Sequence, residues 1–128
     1  MRLDTSTIAL LIKEDPATIE CLDLDNLRID RLREGLFQHC TQLVSIDLGG
    51  NSLQSLQGQP FKRCSNAWWI NLSNNQLDSL VDSGLGHFLA LGALDLGYNS
   101  LSLESLAPLA SVHVLQLTLK GNSKLSRV

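Results

Sequence analysis

The sequence predicts an α/β solenoid of about five coils, with a parallel β-sheet on the concave face, an irregular convex side and a short N-terminal capping helix. Three observations carry this expectation. Similar segments return at a fixed interval; each holds apolar residues two apart with a polar residue between them; and most carry an asparagine three residues after that pair.

The segments are IECLDLDNLRIDRL from Ile19, LVSIDLGGNSLQSL from Leu43, AWWINLSNNQLDSL from Ala67, LGALDLGYNSLSLE from Leu91 and VLQLTLKGNSKL from Val114. Their offsets are 24 (43−19), 24 (67−43), 24 (91−67) and 23 (114−91) residues. The pairs Leu22/Leu24, Ile46/Leu48, Ile70/Leu72, Leu94/Leu96 and Leu117/Leu119 each make a short strand with one buried face. One strand per repeat implies a parallel ladder. Asn51, Asn75, Asn99 and Asn122 follow where the chain leaves the sheet, and an amide there has donors and an acceptor for the turned backbone.

Return segments repeat as well. Phe37, Phe61 and Leu85 lie six residues before the next repeat, and Cys40, Cys64 and Phe88 lie three before it, so apolar spines are expected on the convex side. No repeat buries its leucines alone; neighbouring coils supply the core.

Each segment reads L-x-x-L-x-L-x-x-N-x-L, with Leu27 in the asparagine position of the first and Asn122-x-x-Leu125 in the last. On these in-register copies the chain resembles the leucine-rich-repeat family from Ile19 to about Leu125. The resemblance implies that Asn51, Asn75, Asn99 and Asn122 stack as a ladder. It divides the chain into a cap helix over residues 1–17 and a solenoid over 18–128, with repeats starting near 19, 43, 67, 91 and 114.

The ends need covering. Ser6 or Thr7 can cap a helix running to about Glu14, with Ile8, Leu11 and Ile12 on the first coil and Pro16 closing it. Leu27 is expected to pack beneath that helix, since the first coil has no preceding coil to bridge. The tail after Gly121 has no recognisable cap, so further chain or a partner is expected over that end.

With 128 residues, 44% of them hydrophobic, the chain suits one domain. Its net charge is −3, and no Lys or Arg occurs between Arg63 and Lys120, so direct nucleic-acid binding is not expected. The apolar run Ile8–Ile12 is short and followed by Lys13, Glu14 and Asp15, unlike a secretory leader, and no run is long enough to span a bilayer. Three cysteines (Cys21, Cys40, Cys64) without metal-ligand spacing read as free thiols, with Cys40 and Cys64 buried in phase on adjacent coils, in an intracellular compartment. His39 and His87 share a phase two coils apart, too far for one metal, and no nucleophile–base grouping assembles. Neither a catalytic site nor a cofactor is expected.

Strand parity sorts the remaining side chains. One outward column is Cys21, Ser45, Trp69, Ala93 and Gln116; the next is Asp23, Asp47, Asn71, Asp95 and Thr118; beyond the strands come Asp25, Gly49, Ser73, Gly97 and Lys120, then Asn26, Gly50, Asn74, Tyr98 and Gly121. Trp68 has inward parity, and beside the small Ala67 and Gly92 it is expected to fold toward the core edge. The open face is therefore small, acidic and marked by two aromatics. It suits a protein partner, through a basic or amphipathic segment, with Trp69 and Tyr98 as anchors and Asp23, Asp47, Asn71 and Asp95 as polar contacts.

Two alternatives come from finer resemblance. LAPLASVHVLQLTLKGNSKL, from Leu106, is similar to the closing repeat of nuclear leucine-rich proteins such as the A-prime subunit of a spliceosomal ribonucleoprotein and the mRNA-export receptors, and CLDLDNLRID is similar to an early export-receptor repeat. That implies an adaptor in a ribonucleoprotein or export complex. The regular 24-residue spacing with Phe in the return segment instead resembles receptor ectodomains, implying a fragment of one.

Overall fold

The computed structural model describes residues 2–3, 15–33 and 35–127. The expected cap helix, from Ser6 or Thr7 to Glu14, lies outside those residues. Two short pieces border it: strand β1 (Arg2–Leu3) and a 3-10 turn over Pro16–Thr18, where the Asp15 side chain accepts the Ala17 N–H at 3.0 Å.

The main sheet has five parallel strands in chain order: β2 (Cys21–Asp23), β4 (Ser45–Asp47), β5 (Trp69–Asn71), β6 (Ala90–Asp95) and β7 (His113–Thr118). Strand β3 (Arg31–Leu32) belongs to the return side, where it pairs in parallel with β1. Residues of equal phase face one another throughout: Leu22, Ile46, Ile70, Leu94 and Leu117 form one row. Five strands are joined by four turns of the solenoid. The fifth repeat contributes its strand, its asparagine and only the start of a return, the 3-10 piece Ser123–Arg127, so the described residues make about four full turns.

The α part of the expected class is also corrected. No α-helix occurs among the described residues; the returns are turns and 3-10 pieces at Leu85–His87, Glu104–Leu109 and Ser123–Arg127. Gly58, Pro60, Gly84, Gly86 and Pro108 punctuate spans too short to nucleate a helix. None of these is long and apolar enough to cross a membrane.

The core fills the space between sheet and returns. Ile46, Leu48, Ile70, Leu72, Leu94 and Leu96 are completely buried, with Phe37, Phe61 and Phe88 behind them. The Phe37 and Phe61 rings lie 6.0 Å apart at 23°. Cys40 and Cys64 are buried free thiols; Cys21 is exposed.

Buried asparagines stitch successive coils. Asn75 Nδ2 donates to the Leu48 carbonyl of the preceding coil at 3.0 Å and to Leu72 of its own at 3.1 Å, while its Oδ1 accepts the Leu53 N–H at 3.0 Å. Asn51, Asn99 and Asn122 repeat this geometry, bridging to Leu24, Leu72 and Leu96. Each amide satisfies backbone groups that would otherwise be buried and unpaired. Leu27 has no such amide; its N–H goes to Asn51 Oδ1 at 3.0 Å.

Candidate functional site: the open face of the sheet

The face opposite the leucines is built by the same alternation. Pairing sets Trp69 of β5 between Ser45 of β4 and Ala93 of β6, and continues through Asp23, Asp47, Asn71, Asp95 and Thr118 in the next row. Trp69 is 38% exposed although strands flank it on both sides. Its small neighbours leave the indole faces uncovered.

The polar row is partly occupied in holding the chain's exit from each strand. Asp47, Asn71 and Asp95 each accept, through Oδ1, the N–H two residues on (Gly49, Ser73, Gly97) at 2.9 Å. Asn71 Nδ2 also donates to Asp47 Oδ1 at 3.1 Å. A Cβ at Gly49 would sit 2.8 Å from Asn71 Nδ2, so a larger residue there would push the Asn71 amide out of this network. These side chains therefore have a local structural duty that parity alone does not reveal.

At the N-terminal end of the face, carboxylate oxygens of Asp23, Asp25 and Asp47 come within 4.8 Å of one another. A hydrogen bond between the Asp23 and Asp25 side chains lowers the Asp23 pKa and raises that of Asp25. The Asp25 backbone N–H also favours the Asp23 carboxylate, whereas burial and the Asp23 and Asp47 charges push Asp25 further up. Asp25 was not among the expected contacts. It reaches the group because it follows Asp23 by two residues, on the same side of the extended chain, and its N–H donates to Asp23 Oδ1 at 3.3 Å.

One turn recurs beyond the strands. Asn26, Gly50, Asn74, Tyr98 and Gly121 all have positive φ, between 54° and 83°. Asparagine and glycine suit the left-handed region; a tyrosine there is costly. Tyr98 is 50% exposed, and its ring covers the Cα of Gly121, where a side chain would collide with it. Tyr98 and Trp69 do not form one cluster. They are a coil and about five strand residues apart, on the order of 15 Å, so a partner must extend along the strands to touch both.

Trp68 also departs from expectation. Its N–H and that of Trp69 both go to the Val44 carbonyl, at 2.7 and 3.1 Å, as those of Val44 and Ser45 go to Glu20 and those of Gly92 and Ala93 to Trp68, and this recurring bulge sets Trp68 at the rim of the sheet. There the indole occupies the space over Gly92 and is 50% exposed, so it does not fill the core beside Ala67. Other candidates have structural partners: His87 meets Gln59 Oε1 and His39 meets Gln38 Nε2, each at 3.2 Å.

A parallel sheet, one strand per repeat, backed by an asparagine ladder, agrees with a comparison to known families: residues 18–77 match the model described as leucine rich repeat. The match supports a leucine-rich-repeat family. The same strand register and asparagine geometry continue past the matched span, through β6, β7, Asn99 and Asn122. No curated protein matches the chain. Leucine-rich repeats generally mediate protein–protein interaction, and the family is typically non-enzymatic.

Proposed function

We propose that this protein is an interaction module that binds a segment of a protein partner on the open, concave face of its sheet. The observation that carries the reading is Trp69: a large apolar side chain left 38% exposed between two in-place strands. Nothing in folding requires an indole there. Covering it would contribute about 2 kcal/mol to binding.

The rest of the face suggests the partner's chemistry. Asp23, Asp25, Asp47 and Asp95 lie on it or at its margin, and the segment from Cys64 to Leu119 contains no Lys or Arg. A basic or amphipathic segment is favoured, steered by the acidic side chains and anchored at Trp69 and, farther along the strands, Tyr98. The same charge argues against nucleic acid as the direct ligand. The free thiols Cys21, Cys40 and Cys64 suit a reducing, intracellular compartment.

The test is capture of partners from native extract by the wild-type chain, Trp69→Ala and Trp68→Ala, with melting curves for all three. A partner lost with Trp69→Ala, retained with Trp68→Ala, and accompanied by equal melting supports the reading. A partner held equally by all three overturns it.

A further inference from the structure

The return segments keep phase as the strands do, so a position on the convex side has counterparts one coil away. One exposed column is Gln38, Lys62 and Gly86, and the column beside it is His39, Arg63 and His87. The repeat accepts an amide, an ammonium or a glycine in the first and an imidazole or a guanidinium in the second. The fold therefore requires no fixed charge at either position. Coil 2 nonetheless sets two cations side by side, and Lys62 and Arg63 are the only Lys or Arg between Arg33 and Lys120.

The backbone that carries them is firmly held. Lys62 N–H donates to the Gln59 carbonyl at 3.1 Å, and Gly84 of the next coil packs so closely that a Cβ on it would lie 2.6 Å from the Lys62 nitrogen. Phe61 and Cys64, on either side of the pair, are completely buried. The turn just before them is tied to coil 3, because Gln59 N–H donates to the Asp82 carbonyl at 2.7 Å and Gly58 N–H to Asp82 Oδ2 at 2.9 Å.

A hollow of about 290 Å³ opens between the returns of coils 1, 2 and 3. Lys62 and Arg63 line it together with Gln38, Gln59 and Asp82. Gly35 and Gly58 in its walls leave room for the backbone of another chain to approach. His39 and His87 flank it, each 3.2 Å from one of the two glutamine amides. Among the described residues no acidic side chain forms an ion pair with either cation.

The charge of the lining selects the ligand. Lys62 and Arg63 against Asp82 leave one net positive charge, which one carboxylate balances; a doubly charged phosphate would be pressed against Asp82. A guanidinium beside an ammonium, with primary amides within reach, gives such a carboxylate several donors at once.

We infer that this convex hollow is a second docking site, which takes an acidic segment of a protein partner. An Asp or Glu carboxylate of that segment bridges Lys62 and Arg63, and its backbone lies along Gln38 and Gln59. The site has the opposite charge to the open face and lies on the other side of the core. It does not depend on what binds the open face.

A fluorescein-labelled peptide of alternating Glu and Gly tests the site by polarisation, at about 20 mM salt and about pH 8, where histidine is neutral. Saturable binding that weakens as salt is added is expected. Lys62→Gln together with Arg63→His installs the residues that the first coil carries at the same phases, and should weaken binding about tenfold with an unchanged melting curve. Lys120→Gln together with Lys124→Gln, which removes the same charge elsewhere, and Trp69→Ala on the open face should each leave binding within about twofold. A measurement on the wild-type chain needs no variant: the peptide should protect Lys62 from acetic anhydride, read by mass spectrometry, more than it protects Lys120 or Lys124. Absence of saturable binding overturns the inference, as does an equal loss in the two double variants or no selective protection of Lys62. Tighter binding of a phosphoserine peptide of the same total charge overturns the assignment to a carboxylate.

Discussion

The centre of the open face and the β7 edge both expose large apolar side chains, but for opposite reasons. Trp69 has every neighbour in place, with Ser45 and Ala93 paired on either side, and is exposed because its side chain points away from the core. Leu117 points toward the core and is exposed because, among the described residues, no strand lies beyond β7. In a solenoid, burial belongs to the stack rather than to the residue. An exposed side chain on a complete sheet is therefore a candidate contact; one on an incomplete coil is an unfinished core.

The sharpest way to break this comparison is to truncate the same repeat position in both settings. Ile70→Ala should cost about 3 kcal/mol in urea unfolding, and Leu117→Ala only about 1 kcal/mol. Equal losses would mean that β7 is as well covered as β5.

The interior of the complete coils can also be probed by pH. Burial, and secondarily the nearby Cys40, push the Cys64 thiol up to about 12; burial raises Cys40 as well. A raised thiol pKa means that the folded state holds its proton where the unfolded chain, near 9.0, releases it. This contribution is complete below pH 9 and declines as the pH climbs toward 12. Cys64→Ala should flatten that decline in unfolding free energy, and an unchanged slope would contradict the burial of Cys64.

A smaller effect concerns the second anchor. Tyr98 has a φ of 55°, a conformation that asparagine tolerates better. Tyr98→Asn should stabilise the fold by about 0.5–1 kcal/mol while weakening partner binding. Destabilisation would mean that the ring's cover over Gly121 outweighs the backbone strain.

Much of this was legible in the sequence because the repeat leaves little freedom. Apolar residues two apart set strand parity, and a constant offset set the register that joins Trp69 to Ser45 and Ala93. What stayed hidden depends on departures from that parity. Trp68 counts as inward by alternation, yet the shared Val44 carbonyl, an arrangement repeated in the neighbouring coils, sets it at the rim. Asp25 joins Asp23 and Asp47 because it lies two residues beyond Asp23, just past the end of the strand, where its N–H donates to Asp23 Oδ1. β1 is two residues long and has no period to detect. The return segments read as irregular, which they are, but their 3-10 pieces carry no separate signal.

The most direct test of the functional claim is one pair of measurements on Trp69→Ala: its affinity for a partner captured by the wild-type chain, and its unfolding free energy. An affinity lower by about 2 kcal/mol, with stability within about 0.5 kcal/mol of wild type, is the predicted result. A variant that binds as well as wild type, or that loses binding only because it unfolds, would contradict the assignment of Trp69 as the anchor of the open face.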